Sequence, residues 1–211
     1  MATRELLLDA AEREFSQRGA TRTSLAEVAS AAGVTRGAVY WHFRDKSDLF
    51  AAMCARAKLP METTLERAAT TPQTDPLGTL LMLMTTALTN LASDRRAQAV
   101  FEVLFHKCEL TGELAPLAQR RQRERSLCLN YVERVLQQAV EAGQLPADTD
   151  TALATHALHA YMGGLMRDWV ADKHAYDLAT VAPMLAAMAI AGLRADPPRR
   201  SQERGQAQIS L

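Results

Sequence analysis

The residues best suited to chemistry in this 211-residue chain lie between positions 23 and 46. Thr35, Arg36 and Gly37 stand side by side, and Tyr40, Trp41, His42 and Lys46 follow at short spacing. An arginine fork presents paired N–H donors that match the O6/N7 edge of guanine. A threonine at a helix start can meet a phosphate or a base edge. A glycine next to it removes a side chain where helix and groove must come close. Tyr40, Trp41 and His42 carry the O–H and N–H donors that hold backbone phosphates, and Lys46 adds a positive charge. Thr23 and Ser24, just upstream, are positioned for the opposite phosphate wall. The chemistry these residues would support is recognition of duplex DNA, with Thr35, Arg36 and Gly37 as the expected base contacts. Thr23, Ser24, Tyr40, Trp41, His42 and Lys46 are the expected phosphate contacts.

Such residues need a scaffold, and the local signals supply one. Residues 4–18 form the first expected helix, with Leu7, Leu8, Ala11 and Phe15 on one apolar face and Gly19 as its stop. Ser24 and Glu27 are spaced as a capping box opening a second helix that buries Leu25, Val28, Ala29 and Ala32. Gly33 permits a left-handed turn, Val34 packs across it, and Thr35 caps a third helix over 36–43. Val39 and Phe43, four apart, give that helix a buried underside, so Arg36, Gly37 and Tyr40 face outward with Trp41 and Arg44 at the margins. Two helices hinged at a glycine, the second carrying an arginine and aromatics, make the pattern of a helix-turn-helix.

Charge adds little. Positions 1–58 hold nine bases and seven acids, leaving fifteen bases and seventeen acids in the rest of a chain that is neutral overall. DNA binding must rest on where the cations sit. No stretch of about eighteen apolar residues free of charge appears, so no membrane partner is expected. The acid-rich start at Glu5, Asp9, Glu12 and Glu14 does not read as a secretion signal, and Cys54, Cys108 and Cys128 are too scattered for a zinc cluster or a disulfide framework. A cytoplasmic protein is expected. No phosphate loop, nucleophile elbow, H-E-x-x-H or dinucleotide fingerprint occurs, so no catalytic residue, metal or cofactor is assigned and no enzyme is expected.

The remaining chain reads as helices only. A fourth is expected over 46–56, closed by a break near Pro60, with a short helix before the loop at 70–76. Others are expected over 77–91, 97–111, 116–142, from 148 or 149 to 170, and from 173 or 175 to 192. The tail from 195 is polar and carries Pro197 and Pro198, and disorder is expected there. The division is a DNA-binding head at 1–46, a body at 47–194 and a tail at 195–211. Met84, Met162, Met166, Phe101, Phe105 and Trp169, with Glu102, His106, Glu109, His156 and His159 among them, would line a pocket for bulky apolar or amphipathic ligands. Small residues at Ala152, Ala157, Ala160, Gly163 and Gly164 allow close helix approach. Leu127, Tyr131, Val135 and Gln138 recur every three or four residues. A seam between two copies is expected from these last four together with Ala157, Ala160 and Gly164.

The segments LLLDAAEREFSQRG and TSLAEVASAAGVTRGAVYWHFRDKSDLF resemble the TetR family of bacterial transcriptional repressors. FEVLFHKCELTGELAPL and YMGGLMRDWV resemble body segments of its AcrR/TtgR/MexZ-like group, which controls multidrug efflux. The resemblance implies an all-α, Ω-shaped homodimer: a three-helix head, a linking fourth helix, and two last long helices that dimerise. It implies a palindromic operator as partner, a small apolar effector that biases head spacing, and repression of an efflux operon. It leaves any preference for cations to Glu102, Glu109 or Glu113. Two other readings share the residues: the same fold sensing a fatty-acyl or other lipid-like metabolite, and a helical ligand-binding protein without DNA-binding activity.

Overall fold

A computed structural model describes residues 2–108 and 111–200, the side chains of 58–61 excepted. The expected Glu109 lies outside the described residues. Within them the chain is all-α: α1 Ala2–Arg18, α2 Leu25–Ala31, α3 Arg36–His42, α4 Lys46–Thr70, α5 Pro76–Ser93, α6 Arg95–His106, a 3-10 turn Gly112–Leu114, α7 Pro116–Glu141, α8 Thr151–Ala171 and α9 Leu178–Ala195.

Side-chain caps start most of these helices. Ser24, Thr35, Asp45, Asp75, Asp94, Asp150 and Asp177 each accept a hydrogen bond from a backbone N–H in the first turn that follows. Four elements depart from expectation. The fourth helix does not break near Pro60 but continues to Thr70. A proline inside a helix costs about 3 kcal/mol, and here packing on both sides offsets it. Phe50 and Met53 are buried before it, Ala68 and Ala69 after it. The sixth helix ends at His106 rather than near 111, because Lys107 turns toward the head: its carbonyl accepts from Ala20 N at 3.1 Å. The last helix begins at Leu178, later than expected, where Asp177 supplies the cap. The tail is ordered as far as it is described. Asp150 N donates to Pro198 O at 2.7 Å, Arg200 N donates to Asp148 O at 2.9 Å, and Arg199 pairs with Asp148.

Three apolar clusters hold the fold. The first joins Leu7, Phe15, Val28, Val39, Phe43 and Phe50 to Val100, Val103 and Leu117, so it runs from the head without interruption into α6 and α7. The second lies between α4, α5, α7, α8 and α9 and includes Met84, Val135, Leu136 and Ile190. The third gathers Leu88, Ala97, Trp169 and Leu178, with Phe101, Met162 and Met166 packed against it. Among the described residues α9 alone is long and apolar enough to cross a membrane by length and composition. Leu178, Ala182, Ala186, Ile190 and Leu193 are its buried positions, and Met184 and Met188 are 58% and 60% exposed.

Ion pairs bind the head to the body. Arg56 on α4 pairs with Glu5 and Asp9, each at 2.9 Å, and with Glu12, while Arg96 on α6 reaches Asp9 at 3.2 Å and Glu12 at 3.4 Å. The boundary drawn after residue 46 therefore falls inside a shared core, with charges from both sides closed across it.

Candidate nucleic-acid interface

The head is built around α3, which is too short to persist alone. Ser24 Oγ accepts from Glu27 N at 3.3 Å and Ser24 N donates to Glu27 Oε2 at 2.7 Å, closing the capping box on α2. The Ser24 backbone and hydroxyl hydrogen bonds, with the Arg18 charge, hold the Glu27 carboxyl below its ordinary pKa. Gly33 takes φ +68°, and Val34 N returns to Ala29 O at 3.0 Å, which ties the turn to α2. Thr35 Oγ1 accepts from Ala38 N at 3.3 Å. Val39 is 0% exposed and Phe43, which ends the helix, is 3% exposed.

The buried underside fixes what faces out. Arg36 and Gly37 are exposed, and Tyr40 and Trp41 are 48% and 85% exposed. Arg36 Nη2 donates to Tyr40 Oη at 3.4 Å. A Cβ on Gly37 would meet only Thr35 Oγ1, at 3.9 Å. Packing within the chain therefore gives no reason for a glycine there. His42 is half-buried beside Phe43, with ring centroids 6.4 Å apart.

Three expected phosphate contacts are placed differently. Thr23 is 1% exposed, and its hydroxyl donates to Gly19 O at 2.9 Å, capping the carbonyl end of α1. Lys46 is 6% exposed; its ammonium donates to Thr21 O at 2.9 Å and lies 3.5 Å from Glu113 of the 3-10 turn. It joins head to body where a free phosphate ligand was expected. Ser24 is exposed, but its hydroxyl serves the capping box. Arg44, which the sequence reading left at the margin, has a side chain 86% exposed with Asp48 3.6 Å away. Its signal was a basic residue directly after the aromatic run.

The expected pocket residues divide. Phe101, Met162, Met166 and Trp169 meet around the third cluster. Phe105 joins them through Phe101, at 5.5 Å between rings, with Arg167 over its outer face at 5.4 Å. Trp169 is 5% exposed and donates from Nε1 to Tyr176 O at 3.1 Å. Met84 is buried in the second cluster. Glu102 is not an open anion for a cationic ligand, since Lys107 lies at 2.6 Å and Lys173 at 3.6 Å. Burial opposes its ionisation, but the Lys107 hydrogen bond and the two lysine charges outweigh that and hold its carboxyl below the ordinary value. His106 is exposed, with Nε2 3.4 Å from Arg167 O. His156 is exposed, and His159 has its pKa lowered by burial and by the charges of Arg125 and His156. An open depression of about 470 Å³ lies elsewhere, lined by Arg4, Glu5, Asp48, Ala52, Ala55, Arg56 and Arg120. Among the described residues no three His, Cys, Asp or Glu side chains group as metal ligands.

The expected seam on α7 is mostly internal. Val135 is 0% exposed, Gln138 accepts from Gln73 N at 3.0 Å, and Tyr131 Oη donates to Glu66 at 3.1 Å. A stripe at three- and four-residue spacing marks a buried face without saying what buries it, and here α4 and α5 do. Leu127 remains 52% exposed. Ala157, Ala160 and Gly164 are exposed on α8, near Leu153 at 54%.

A helix-turn-helix head fused to an all-helical body defines the class, a DNA-binding regulator. Residues 7–53 match the family described as bacterial regulatory proteins, tetR family, and residues 75–194 match the MAATS-type transcriptional repressor C-terminal region. The chain belongs to the TetR family of transcriptional repressors and is not an enzyme. It is 42% identical over 180 residues to the HTH-type transcriptional regulator AcrR of Shigella flexneri, covering 83% of this chain and 82% of that one. Its fold is similar to that of NalD, the secondary repressor of the MexAB-OprM multidrug efflux pump in Pseudomonas aeruginosa (TM-score 0.81, 34% identity, 90% and 95% of the two chains covered). It is also similar to SmeT in a SmeT–triclosan complex (TM-score 0.82, 33% identity, 91% of each chain covered).

Proposed function

We propose that this chain represses a multidrug efflux operon from the cytoplasm, as a dimer on a palindromic operator, and is released by a small apolar effector. The carrying observation is the outer face of α3, where Arg36, Gly37, Tyr40 and Trp41 face solvent over a sealed Val39–Phe43 underside. In this reading Arg36 reads a base edge, the bare backbone at Gly37 lets the helix enter the groove, and Trp41, His42 and Arg44 hold phosphates.

For dimerisation, the reading favours α8 and α9 over α7. Leu153, Met184 and Met188 are each more than half exposed, with Ala157, Ala160 and Gly164 among them. Cβ atoms on Gly163, Gly164 and Gly192 would meet nothing within 4 Å, so this face is open to a second helix pair. A two-fold partner supplies the second head, and the two must meet major-groove faces about 34–36 Å apart. For the effector, triclosan in the SmeT complex gives a chemical precedent. The cluster around Phe101, Phe105, Met162 and Met166 is the proposed site, because methionine side chains repack readily. α6 carries Phe101 and is capped by Lys107, whose carbonyl accepts from Ala20 N of the head, so a shift there reaches the DNA-reading surface. A coupling of roughly 1–3 kcal/mol suffices for release.

The test is selection of bound duplexes from a random library, followed by fluorescence anisotropy on the recovered site with and without triclosan. A two-fold symmetric site whose affinity falls with the effector supports the reading. Recovery of no preferred sequence at physiological salt overturns it.

A further inference from the structure

On α3, Arg36 and Tyr40 are four residues apart, so one side chain lies above the other. The guanidinium Nη2 donates to the Tyr40 hydroxyl at 3.4 Å, and the guanidinium carbon stands 5.7 Å from the centre of the tyrosine ring. The contact therefore has two parts, a hydrogen bond at the tip and a cation over the ring face. Tyr40 is 48% exposed while its neighbour Trp41 is 85% exposed, so the tyrosine is the more closely held of the two aromatics. Gly37, which follows Arg36 at the start of α3, adds no side chain beside the pair.

An arginine on an exposed helix face otherwise samples many rotamers, and each must be surrendered on binding. The guanidinium carries five N–H donors. One is given to Tyr40, and enough remain on the two terminal nitrogens for a bidentate pair to O6 and N7 of guanine. The tyrosine hydroxyl, already accepting from Arg36, is turned toward the arginine.

Building on the operator reading above, we infer that Tyr40 is a positioning residue for Arg36: it fixes the guanidinium for base reading and thereby sets sequence discrimination at one base pair. This differs from a phosphate contact in what its loss does. A phosphate contact weakens all sequences alike, whereas a positioning residue acts only where its arginine reads.

The experiment uses the full chain, the site recovered by library selection, and a set of duplexes changed one base pair at a time. Arg36→Ala identifies the base pair it reads by abolishing discrimination there, an expected change of about 5- to 150-fold. Tyr40→Ala is expected to reduce discrimination at that same base pair by roughly 2- to 5-fold, with other positions unchanged. Tyr40→Phe, which keeps the ring, is expected to fall between Tyr40→Ala and the parent. In the double variant, loss of Tyr40 adds nothing to loss of Arg36. A uniform loss across all duplexes in Tyr40→Ala, additive with Arg36→Ala, overturns the assignment and leaves the operator reading intact. Absence of any preferred sequence for the unaltered chain overturns both. Matching far-ultraviolet circular dichroism and unfolding midpoints separate these outcomes from a folding defect, and Tyr40→Phe preserves the test if Tyr40→Ala fails to fold.

Discussion

The outer face of α3 and the aromatic–methionine cluster between α6 and α8 both hold large side chains, yet they are built on opposite plans. On α3 the large residues split cleanly, with Val39 and Phe43 below and Tyr40 and Trp41 above. In the body, Phe101, Met162, Met166 and Trp169 pack on one another, and the same atoms serve as core and as proposed ligand wall. A surface for a large, polyanionic partner can be rigid and separate from the core. A site for a small apolar molecule must be taken out of the core, at the expense of packing. Mutation should therefore separate stability from function in the head and confuse them in the body.

The largest effects test that separation directly. Phe43→Ala and Trp169→Ala should each destabilise the protein by about 3–5 kcal/mol, measured by denaturant unfolding. Trp41→Ala should stay within about 0.5 kcal/mol of the parent while weakening operator binding by anisotropy. If Trp169→Ala instead leaves stability unchanged and alters only effector affinity, the body site is distinct from the core and the contrast fails.

A smaller effect of opposite sign is expected at Gly37. Alanine meets no close contact there, and replacing a helical glycine should stabilise the fold by about 0.5–1 kcal/mol. Operator affinity should nevertheless fall, because the new methyl stands where the groove must come. A variant both more stable and equally tight in binding would remove Gly37 from the interface.

The smallest effect concerns Glu102. Its folded-state pKa is lowered, with the two lysines outweighing burial, so its ionised form contributes stability above the unfolded pKa near 4.5. That contribution is lost as pH falls through the lower, folded value. Glu102→Gln should cost at most about 1 kcal/mol at neutral pH, and the difference from the parent should vanish in acid. A constant difference across pH would mean that the lysines do not favour the ionised form.

The same contrast explains what was legible in the sequence. The capping box at Ser24 and Glu27, the Gly33 turn and the Thr35 cap are local, each made by residues within a few positions, and all stand as read. Arg36 and Tyr40 face outward because Val39 and Phe43 face in, which is periodicity alone. Lys46 and Glu102 are placed differently because part of what holds them is distant in sequence, and Thr23 because its acceptor, the Gly19 carbonyl four positions back, is backbone and leaves no mark in the residue types. Lys46 reaches back 25 positions to Thr21, and Glu102 meets Lys173 from the loop after α8. Val135 and Gln138 were visible as one stripe, but spacing does not say whether α4 or a second chain covers it. Helix α4 outlasts Pro60 because packing on both sides outweighs a local penalty. The ordered start of the tail likewise depends on Asp148, about fifty positions away.

That last contact has a mechanical consequence. Helices α8 and α9 are joined at one end by residues 172–177 and clasped at the other, where Thr149 bridges Arg199 and Asp150 N holds Pro198 O. A hairpin closed at both ends behaves as a buckled frame: neither arm can slide along the other without first opening the clasp. In the proposed release, a shift of α6 would meet this closed hairpin through α8 on one side, and α1 and α4 on the other.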